Sequence, residues 1–253
     1  MKKVLFAAIT VACFSSAPAL AADLPTKGYA PAAAPLFNWS GLYIGGSVGW
    51  IGNHYDWAFE PAIAGAANQS WNMSQNNVIG GGHIGLQGQF GQWVLGVELA
   101  GSGLFRSGGF NDWAKHDGFG LGAAGRGVAT VGELWQAGAR IGWTPNNNWL
   151  WYVTGGYARG LVQTNDVLIA TGVAVGNQQT GRIQQGWYLG GGFEYMFARN
   201  WIAGIEYQRI DLGSKIHCPQ LALASCSTNT NTRRISNDDD VVRFRLSYLF
   251  GPR

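Results

Sequence analysis

Eight segments of the chain alternate apolar residues with small or polar ones at a period of two, which is the pattern of β-strands. In the segment FNWSGLYIGGSVGW, Leu42, Ile44 and Val48 share one face, whereas Gly45 and Gly49 share the other. In WLWYVTGGYARG aromatic residues occupy both faces, so the pattern leaves the phase of that segment open. The predicted strands cover approximately residues 39–52, 77–90, 93–105, 133–144, 149–163, 186–197, 201–211 and 241–250.

The connections between these segments alternate in length. The sequences GQ, PNNN and ARN form three tight turns, and the other four connections are long and polar. Short and long connections in alternation, with an even number of strands, are typical of outer-membrane barrels. The sequence therefore predicts an all-β fold, an eight-stranded antiparallel up-and-down transmembrane β-barrel. Its four long extracellular loops are predicted at about residues 53–76, 106–132, 164–185 and 212–240.

Charges within the strands indicate which face meets lipid. An arginine or lysine on the lipid face near the bilayer centre costs about 2 to 4 kcal/mol, so the apolar face is predicted to point outward. A soluble ligand-binding barrel would reverse the faces and place many aromatic side chains in water.

The inward charges lead to a prediction about the lumen. An eight-stranded barrel is only wide enough for its own side chains, and an unpaired buried ion costs several kcal/mol. We therefore expect these charges to pair and plug the lumen; the alternative is that some of them line a wet vestibule. The predicted lumen ion network comprises Glu98, Arg140, Glu194, Glu206, Arg243 and Arg245, with Arg159 as a further candidate.

Aromatic residues flank the three short turns and end the last strand. Amphipathic rings of this kind sit at the headgroup level of a membrane, so they predict a lipid-interface girdle at one rim. Its members are Phe90, Trp93, Trp143, Trp149, Phe197, Trp201, Tyr248 and Phe250.

Glycine makes up 39 of the 253 residues, about twice the usual share of roughly 7%. A narrow barrel bends its sheet sharply and has little interior room, and glycine relieves both constraints. The glycines predicted to face inward are Gly45, Gly49, Gly96, Gly138, Gly190, Gly192 and Gly204.

The N-terminus has the pattern of an export signal. Lys2 and Lys3 precede an apolar core, and APALA ends in an Ala-x-Ala site, which predicts cleavage after Ala21. A lipoprotein signal ending at Cys13 is a weaker alternative, because TVA lacks the usual leucine three residues before the cysteine. The predicted organisation is a cleaved signal peptide at 1–21, a Pro/Ala-rich periplasmic leader at 22–36 and a barrel at 37–253, with periplasmic termini.

The charge balance excludes one class of partner. Removing Lys2 and Lys3 from the 17 basic residues leaves 15 against 14 acidic residues, a mature net charge of +1. No basic run interleaved with aromatic residues is present, so no nucleic-acid partner is expected. No run of about 18 apolar residues follows the signal, which excludes a transmembrane helix.

Cysteine and histidine give few candidates for chemistry. Cys218 and Cys226 are the mature cysteines, and an even pair in an exported protein predicts a disulfide, with two free thiols as the alternative. Their spacing lacks the partners of a zinc site, and no cofactor is expected. We predict that the protein is not an enzyme, because no Gly-x-Ser-x-Gly elbow is present and a lone inward His83 is typical of a hydrogen-bonded structural residue. The other histidines, His54, His116 and His217, are predicted in the long loops, where Trp57, Trp71 and Trp113 offer an unknown surface ligand a binding surface.

Four motifs resemble a known family. AADLP at the processing site, FNWSGLYIGGSVGW, YVTGGYA and a last strand ending in Tyr-x-Phe are similar to the small outer-membrane antigens of alphaproteobacteria. These porin-like barrels are related to the OmpA transmembrane domain. Two features depart from the pattern: the chain continues after Phe250 with GPR, and Arg245 stands where the assembly signal usually has glycine.

The resemblance implies an integral protein of the Gram-negative outer membrane, in contact with outer-membrane lipid and folded by the barrel-assembly machinery. It implies a role in envelope integrity and surface exposure rather than catalysis. The alternative function is a small porin-like diffusion channel, or a surface receptor or adhesin that uses the long loops.

Overall fold

Nine strands form the fold of the computed structural model, which describes residues 37–59, 70–105, 113–117, 125–171, 180–217 and 233–251. Within these residues no helix is long and apolar enough to cross a bilayer. The strands are β1 (Gly41–Phe59), β2 (Ser70–Phe90), β3 (Trp93–Phe105), β4 (Ala114–Asp117), β5 (Gly125–Trp143), β6 (Trp149–Leu168), β7 (Thr180–Met196), β8 (Trp201–His217) and β9 (Arg233–Phe250).

Eight of these strands close into an antiparallel barrel. The hydrogen-bonded order is β3-β2-β1-β9-β8-β7-β6-β5, and pairing of β3 with β5 completes the ring. The first and last strands meet at Leu42 and Phe250. The predicted eight-stranded barrel is confirmed. The short β4 adds a ninth strand to the edge of β5, inside the segment predicted as the loop 106–132.

The barrel has two distinct ends. We call the end with the short connections, at residues 91–92, 144–148 and 197–200, the turn end, and the opposite end the loop end. At the turn end, Gly91 adopts a positive φ of 64° between β2 and β3, a conformation that glycine adopts without steric cost.

The strands extend further toward the loop end than predicted. β1 continues to Phe59 and β2 begins at Ser70, so much of the predicted loop 53–76 is paired strand, and β9 begins at Arg233 within the predicted loop 212–240. The physical reason is a reversal of polarity. In the outer part of β1, Tyr55 is buried inside the barrel and Asp56 is exposed outside, so the apolar-out pattern ends while the strand continues.

The outward surface carries an apolar band between two aromatic rings. The eight residues of the predicted girdle all lie around the turn end, where Trp93 pairs with Trp143 and Trp201 with Tyr248. A second ring, which sequence reasoning missed, surrounds the barrel toward the loop end. It comprises Trp50, Phe105, Trp135, Tyr157, Trp187 and Tyr207, all exposed.

Buried apolar side chains form two layers inside the barrel. The turn-end layer consists of Trp39, Tyr43, Val94, Leu150, Tyr152, Met196, Ile202 and Leu249, and Trp39 closes it by donating its ring N–H to the Asn147 carbonyl at 2.6 Å. The loop-end layer consists of Ile51, Tyr55, Trp57, Met73, Ile79, Ala114, Ala129, Val131, Leu134, Ala158, Val162, Tyr188, Ile210, Leu212, Ile235 and Val241.

Candidate functional site

A group of charged side chains lies in the lumen, and Arg245 on β9 is at its centre. Its Nη1 donates to Oε1 of Glu98 on β3 and to Oε2 of Glu206 on β8, each at 2.9 Å, and its Nη2 donates to the second oxygen of Glu98. The Arg245 side chain is only 2% exposed. One guanidinium therefore bridges two carboxylates from different strands, the geometry in which arginine forms strong charge-assisted hydrogen bonds.

Arg140 on β5 forms the second centre of the network. It contacts both oxygens of Glu194 on β7, at 2.5 and 3.2 Å. Its guanidinium carbon lies 4.2 Å from the centroid of the Tyr152 ring, a cation–π distance. The arginine is thus held on one side by a carboxylate and on another by an aromatic face.

Arg243 on β9 pairs less directly. Its Nε is 3.7 Å from Oε1 of Glu206, and its Nη2 donates to the side-chain oxygens of Gln208 at 2.8 Å and Gln136 at 3.3 Å. Gln208 also donates to Glu206 at 3.0 Å. Sequence reasoning missed both glutamines, although they share the inward face with Glu206 and Arg140 on their own strands.

Two tyrosines complete the network and were also missed. Tyr43 donates its hydroxyl to Glu98 at 2.7 Å, and Tyr152 donates its hydroxyl to Glu206 at 2.8 Å. Both rings belong to the turn-end layer, so they join the apolar layer to the charged one. Both tyrosines lie on the inward face at the level of the charged residues, and this position could have indicated their role. The sequence does not show that position, because it depends on the strand register.

The network is electrically balanced and enclosed. Three arginines face three glutamates, and none of the six side chains is more than 10% exposed. The structure thus brings all six predicted lumen residues together. Arg159, the further candidate, is instead exposed on the outward face of β6, which corrects that prediction. The phase of β6 is set by Leu150 and Tyr152, which point inward.

The strand register places a glycine opposite each of the six charged side chains of the network. Because glycine has no side chain, the guanidinium or carboxylate paired with it has room to extend into the lumen. Two long side chains at paired positions would overfill a barrel of this width. All seven glycines predicted to face inward do so. The pairs are Glu98 with Gly85 and Gly138, Arg140 with Gly96, Glu194 and Arg245 with Gly204, Glu206 with Gly192, and Arg243 with Gly49.

Substitution of Gly85 by alanine is expected to disturb the network through Tyr43. A Cβ at position 85 would collide with the Tyr43 hydroxyl and lie 2.7 Å from the Val97 carbonyl oxygen. We expect unfolding in urea to show a loss of about 1 to 3 kcal/mol, the usual cost of overpacking. Gly82→Ala on the same strand is the matched control, because its Cβ would point outward with the Gly45 carbonyl oxygen, at 3.5 Å, as its neighbour. Equal losses for the two variants would contradict this explanation.

His83 lies where the sequence predicted it, whereas the other three histidines lie on strands rather than in loops. His83 is buried on the inward face of β2, and its Nε2 lies 2.7 Å from the Ser247 hydroxyl, as expected for a structural residue. His217, predicted in a loop, is the last residue of β8, is buried and lies 3.3 Å from Gln184. His54 lies on β1 and His116 on β4 rather than in loops.

The tryptophans proposed for loop binding also lie in or beside the strands. Trp57 is buried inside the barrel on β1, Trp71 lies on β2, and Trp113 is buried next to β4. The polarity reversal that extends the strands also turns Trp57 inward.

Some predicted features lie outside the described residues. They are the signal peptide, the leader at 22–36, and Cys218 and Cys226. Among the residues that are described, no group of three or more histidine, cysteine, aspartate or glutamate side chains is arranged to hold a metal ion.

Comparison with known proteins identifies the family. The sequence model of the outer membrane protein beta-barrel domain matches residues 6–250. The chain belongs to this family. Membership in this outer membrane beta-barrel family agrees with the observed fold and with the apolar band, and it identifies the chain as an outer-membrane protein.

The chain is also similar to individual outer-membrane proteins. The 31 kDa outer-membrane immunogenic protein of Brucella melitensis is 30% identical over 222 residues, which are 85% of this chain and 89% of the relative. The protein of the same name in Brucella suis matches equally. These matches confirm the resemblance to alphaproteobacterial outer-membrane antigens. The crystal structure of OprG from Pseudomonas aeruginosa aligns with a TM-score of 0.52 at 10% identity, covering 85% of this chain and 98% of OprG, and it shows the fold alone.

Proposed function

We propose that this protein is a closed structural barrel, which contributes to the integrity of the envelope and presents its loop end at the cell surface. The observation that carries the proposal is the neutral, enclosed ion network between two apolar layers. A diffusion channel would need a continuous wet path, and the two buried layers with the bonded ion network between them argue against such a path.

The energetics of the network favour the closed state. Water or a solute that crosses the lumen must separate Arg245 from Glu98 and Glu206, and Arg140 from Glu194. Removing one partner from a buried ion pair typically costs about 3 to 5 kcal/mol. The solute must also pass both apolar layers, so opening requires several separate rearrangements.

The lumen chemistry supports a role without catalysis. His83 is enclosed and bonded to Ser247, and it lies at the level of the charged network. A lipid substrate held against the outward face has no path to this imidazole, because the strands of the barrel wall lie between them. The proposed role therefore involves no catalytic residue.

The family and the two ends of the barrel support a proposed orientation in the membrane. We place the turn end and both termini in the periplasm, after export by the signal peptide and folding by the barrel-assembly machinery. The pairing of Leu42 with Phe250 brings the start of β1 and the end of β9 together at the turn end. The relatives from Brucella are named immunogenic, which supports exposure of the loop end at the surface.

Deletion of the gene distinguishes the structural role from diffusion. We expect the deletion strain to become more sensitive to detergent and to take up more of a hydrophobic dye, with both effects reversed by the wild-type gene. Cell fractionation and heat-modifiable gel mobility verify that the restored protein is a folded outer-membrane barrel. A deletion strain with an intact barrier but slower uptake of a small hydrophilic solute would overturn the proposal in favour of a channel. An intact barrier with loss of surface attachment would favour a receptor or adhesin.

A further inference from the structure

A buried carboxyl group lies in the loop-end half of the barrel, apart from the ion network. Residues 238–240 are three consecutive aspartates on β9; Asp238 and Asp240 point outward, whereas Asp239 is 0% exposed. The outward aspartates are partly exposed polar residues that follow the last lipid-facing residue, Val242, toward the loop end. Asp239 therefore lies beyond the membrane-spanning part of β9.

Amide groups, and no cation, contact this carboxyl group in the described structure. Asn53 on β1 donates its Nδ2 to one oxygen of Asp239 at 2.6 Å, and Asn237 donates its Nδ2 to the other at 2.9 Å. The side-chain oxygens of both asparagines are buried and accept no hydrogen bond from any described residue. A half-turn of either amide would offer its oxygen to a protonated Asp239. The site can thus satisfy the neutral acid as well as the carboxylate.

The surroundings favour the neutral form. Ile210 on β8 pairs with Asp239, and Val241 is the next residue on the same face of β9. Both apolar residues belong to the loop-end layer. The charged groups that act on Asp239 are Asp238 and Arg209. Arg209 lies on the outer surface, where it pairs with Asp238 at 3.2 Å and with Asp240 at 2.7 Å.

We propose that Asp239 is a proton-controlled latch of the loop-end layer: its neutral form holds β1 and β9 closed over this layer, and its ionised form loosens them. This inference is independent of the ion network and of conduction. It predicts that β1 and β9 stay paired in the loop-end half of the barrel at acidic pH and separate locally more often at alkaline pH.

The direction of the pH effect follows from the burial of the carboxyl group. Burial raises the pKa of Asp239 to about 7, from an ordinary value of 3.8 in the unfolded chain. Because the pKa of Asp239 is higher in the folded barrel than in the unfolded chain, the neutral carboxyl stabilises the folded barrel. This stabilisation is complete at a pH below the pKa of the unfolded chain. It is lost progressively as the pH rises from there through about 7. Local opening that exposes Asp239 should therefore increase from pH 5 to pH 8, by up to about a hundredfold.

Hydrogen exchange measured by mass spectrometry tests the latch. The full chain, refolded in lipid vesicles, is compared at pH 5 and pH 8 with Asp239→Asn, which keeps the shape and removes the titration. At each pH we divide the exchange rate of the wild type by that of the variant, for residues 51–59 and 233–240. The intrinsic pH dependence of amide exchange is the same in both proteins, so it cancels in this ratio. We expect this ratio to rise at least about tenfold from pH 5 to pH 8. A ratio that does not change would overturn the proposal.

A control and a second readout keep the test decisive. Asp238→Asn removes the same charge from the outward face of the same strand. Because the Asp238 charge contributes to the raised pKa of Asp239, the rise of exchange from pH 5 to pH 8 should persist in this variant but be somewhat smaller than in the wild type. If Asp239→Asn fails to refold, infrared spectroscopy of the wild type provides the result. A protonated-carboxyl band that disappears between pH 5 and pH 8 supports the latch. A spectrum with no such band at pH 5 contradicts it.

Discussion

Arg245→Met is expected to lower the free energy of unfolding by about 3 to 5 kcal/mol, the typical cost of breaking a buried ion pair. Methionine retains much of the side-chain volume, so the effect reports the lost charge rather than a cavity. The substitution leaves Glu98 without its bidentate partner and removes the bond from Arg245 Nη1 to Glu206. Two buried carboxylates are then left with tyrosine and weaker arginine contacts.

Reversible urea unfolding in lipid vesicles, started from purified unfolded chain, measures this loss without the assembly machinery. That choice matters because Arg245 lies on the last strand, β9, which we propose that the assembly machinery recognises. Arg159→Met is the matched control, since Arg159 is exposed on the outward face. We expect the control to change stability by less than about 0.5 kcal/mol. If both variants lost the same amount, burial and pairing of Arg245 would not be the cause.

Leu246→Arg is expected to destabilise the barrel by about 2 to 4 kcal/mol through the lipid face. Leu246 is 47% exposed on the outward face of β9, and it pairs with Gly46 on β1 and Ala203 on β8. It lies between the two aromatic rings, where an arginine has no water and no carboxylate partner. The same vesicle unfolding assay measures the effect.

Ser74→Arg is the control for Leu246→Arg, because it introduces the same charge on an outward face outside the apolar band. Ser74 is also exposed on an outward face, but it pairs with His54 beyond the aromatic ring near the loop end. We expect a change within about 0.5 kcal/mol, as for ordinary surface substitutions. A large penalty at Ser74 and none at Leu246 would mean that the apolar band has been assigned to the wrong part of the barrel.

The membrane-facing half of the fold was predictable because its pattern is simple. A lipid-facing strand must keep apolar residues at one parity, so Leu42, Ile44 and Val48 define both the strand and its outward face. The alternation of short and long connections then fixes the up-and-down order. The six lumen charges followed from the same parity, since no other face of the barrel accepts them.

The outer half was not predictable by that rule. Beyond Trp50 the inward residues become apolar and the outward residues polar, as at Tyr55 and Asp56, so a search for lipid-facing strands ends too early. The neutral partners of the network depend on strand register, which the sequence leaves undetermined. Gln136 reaches Arg243 only because β5 and β9 face each other across the lumen. Arg159 was misplaced because aromatic residues at both parities concealed the phase of β6.

Planar-bilayer recording of the purified wild-type barrel tests the central claim most directly, that the ion network between the turn-end and loop-end layers closes the lumen. The expected result is an absence of stable conductance steps. Glu98→Ala, which removes one partner of Arg245, is expected to produce transient openings above that silent baseline. A large and stable conductance of the wild type that Glu98→Ala leaves unchanged would contradict the closed barrel.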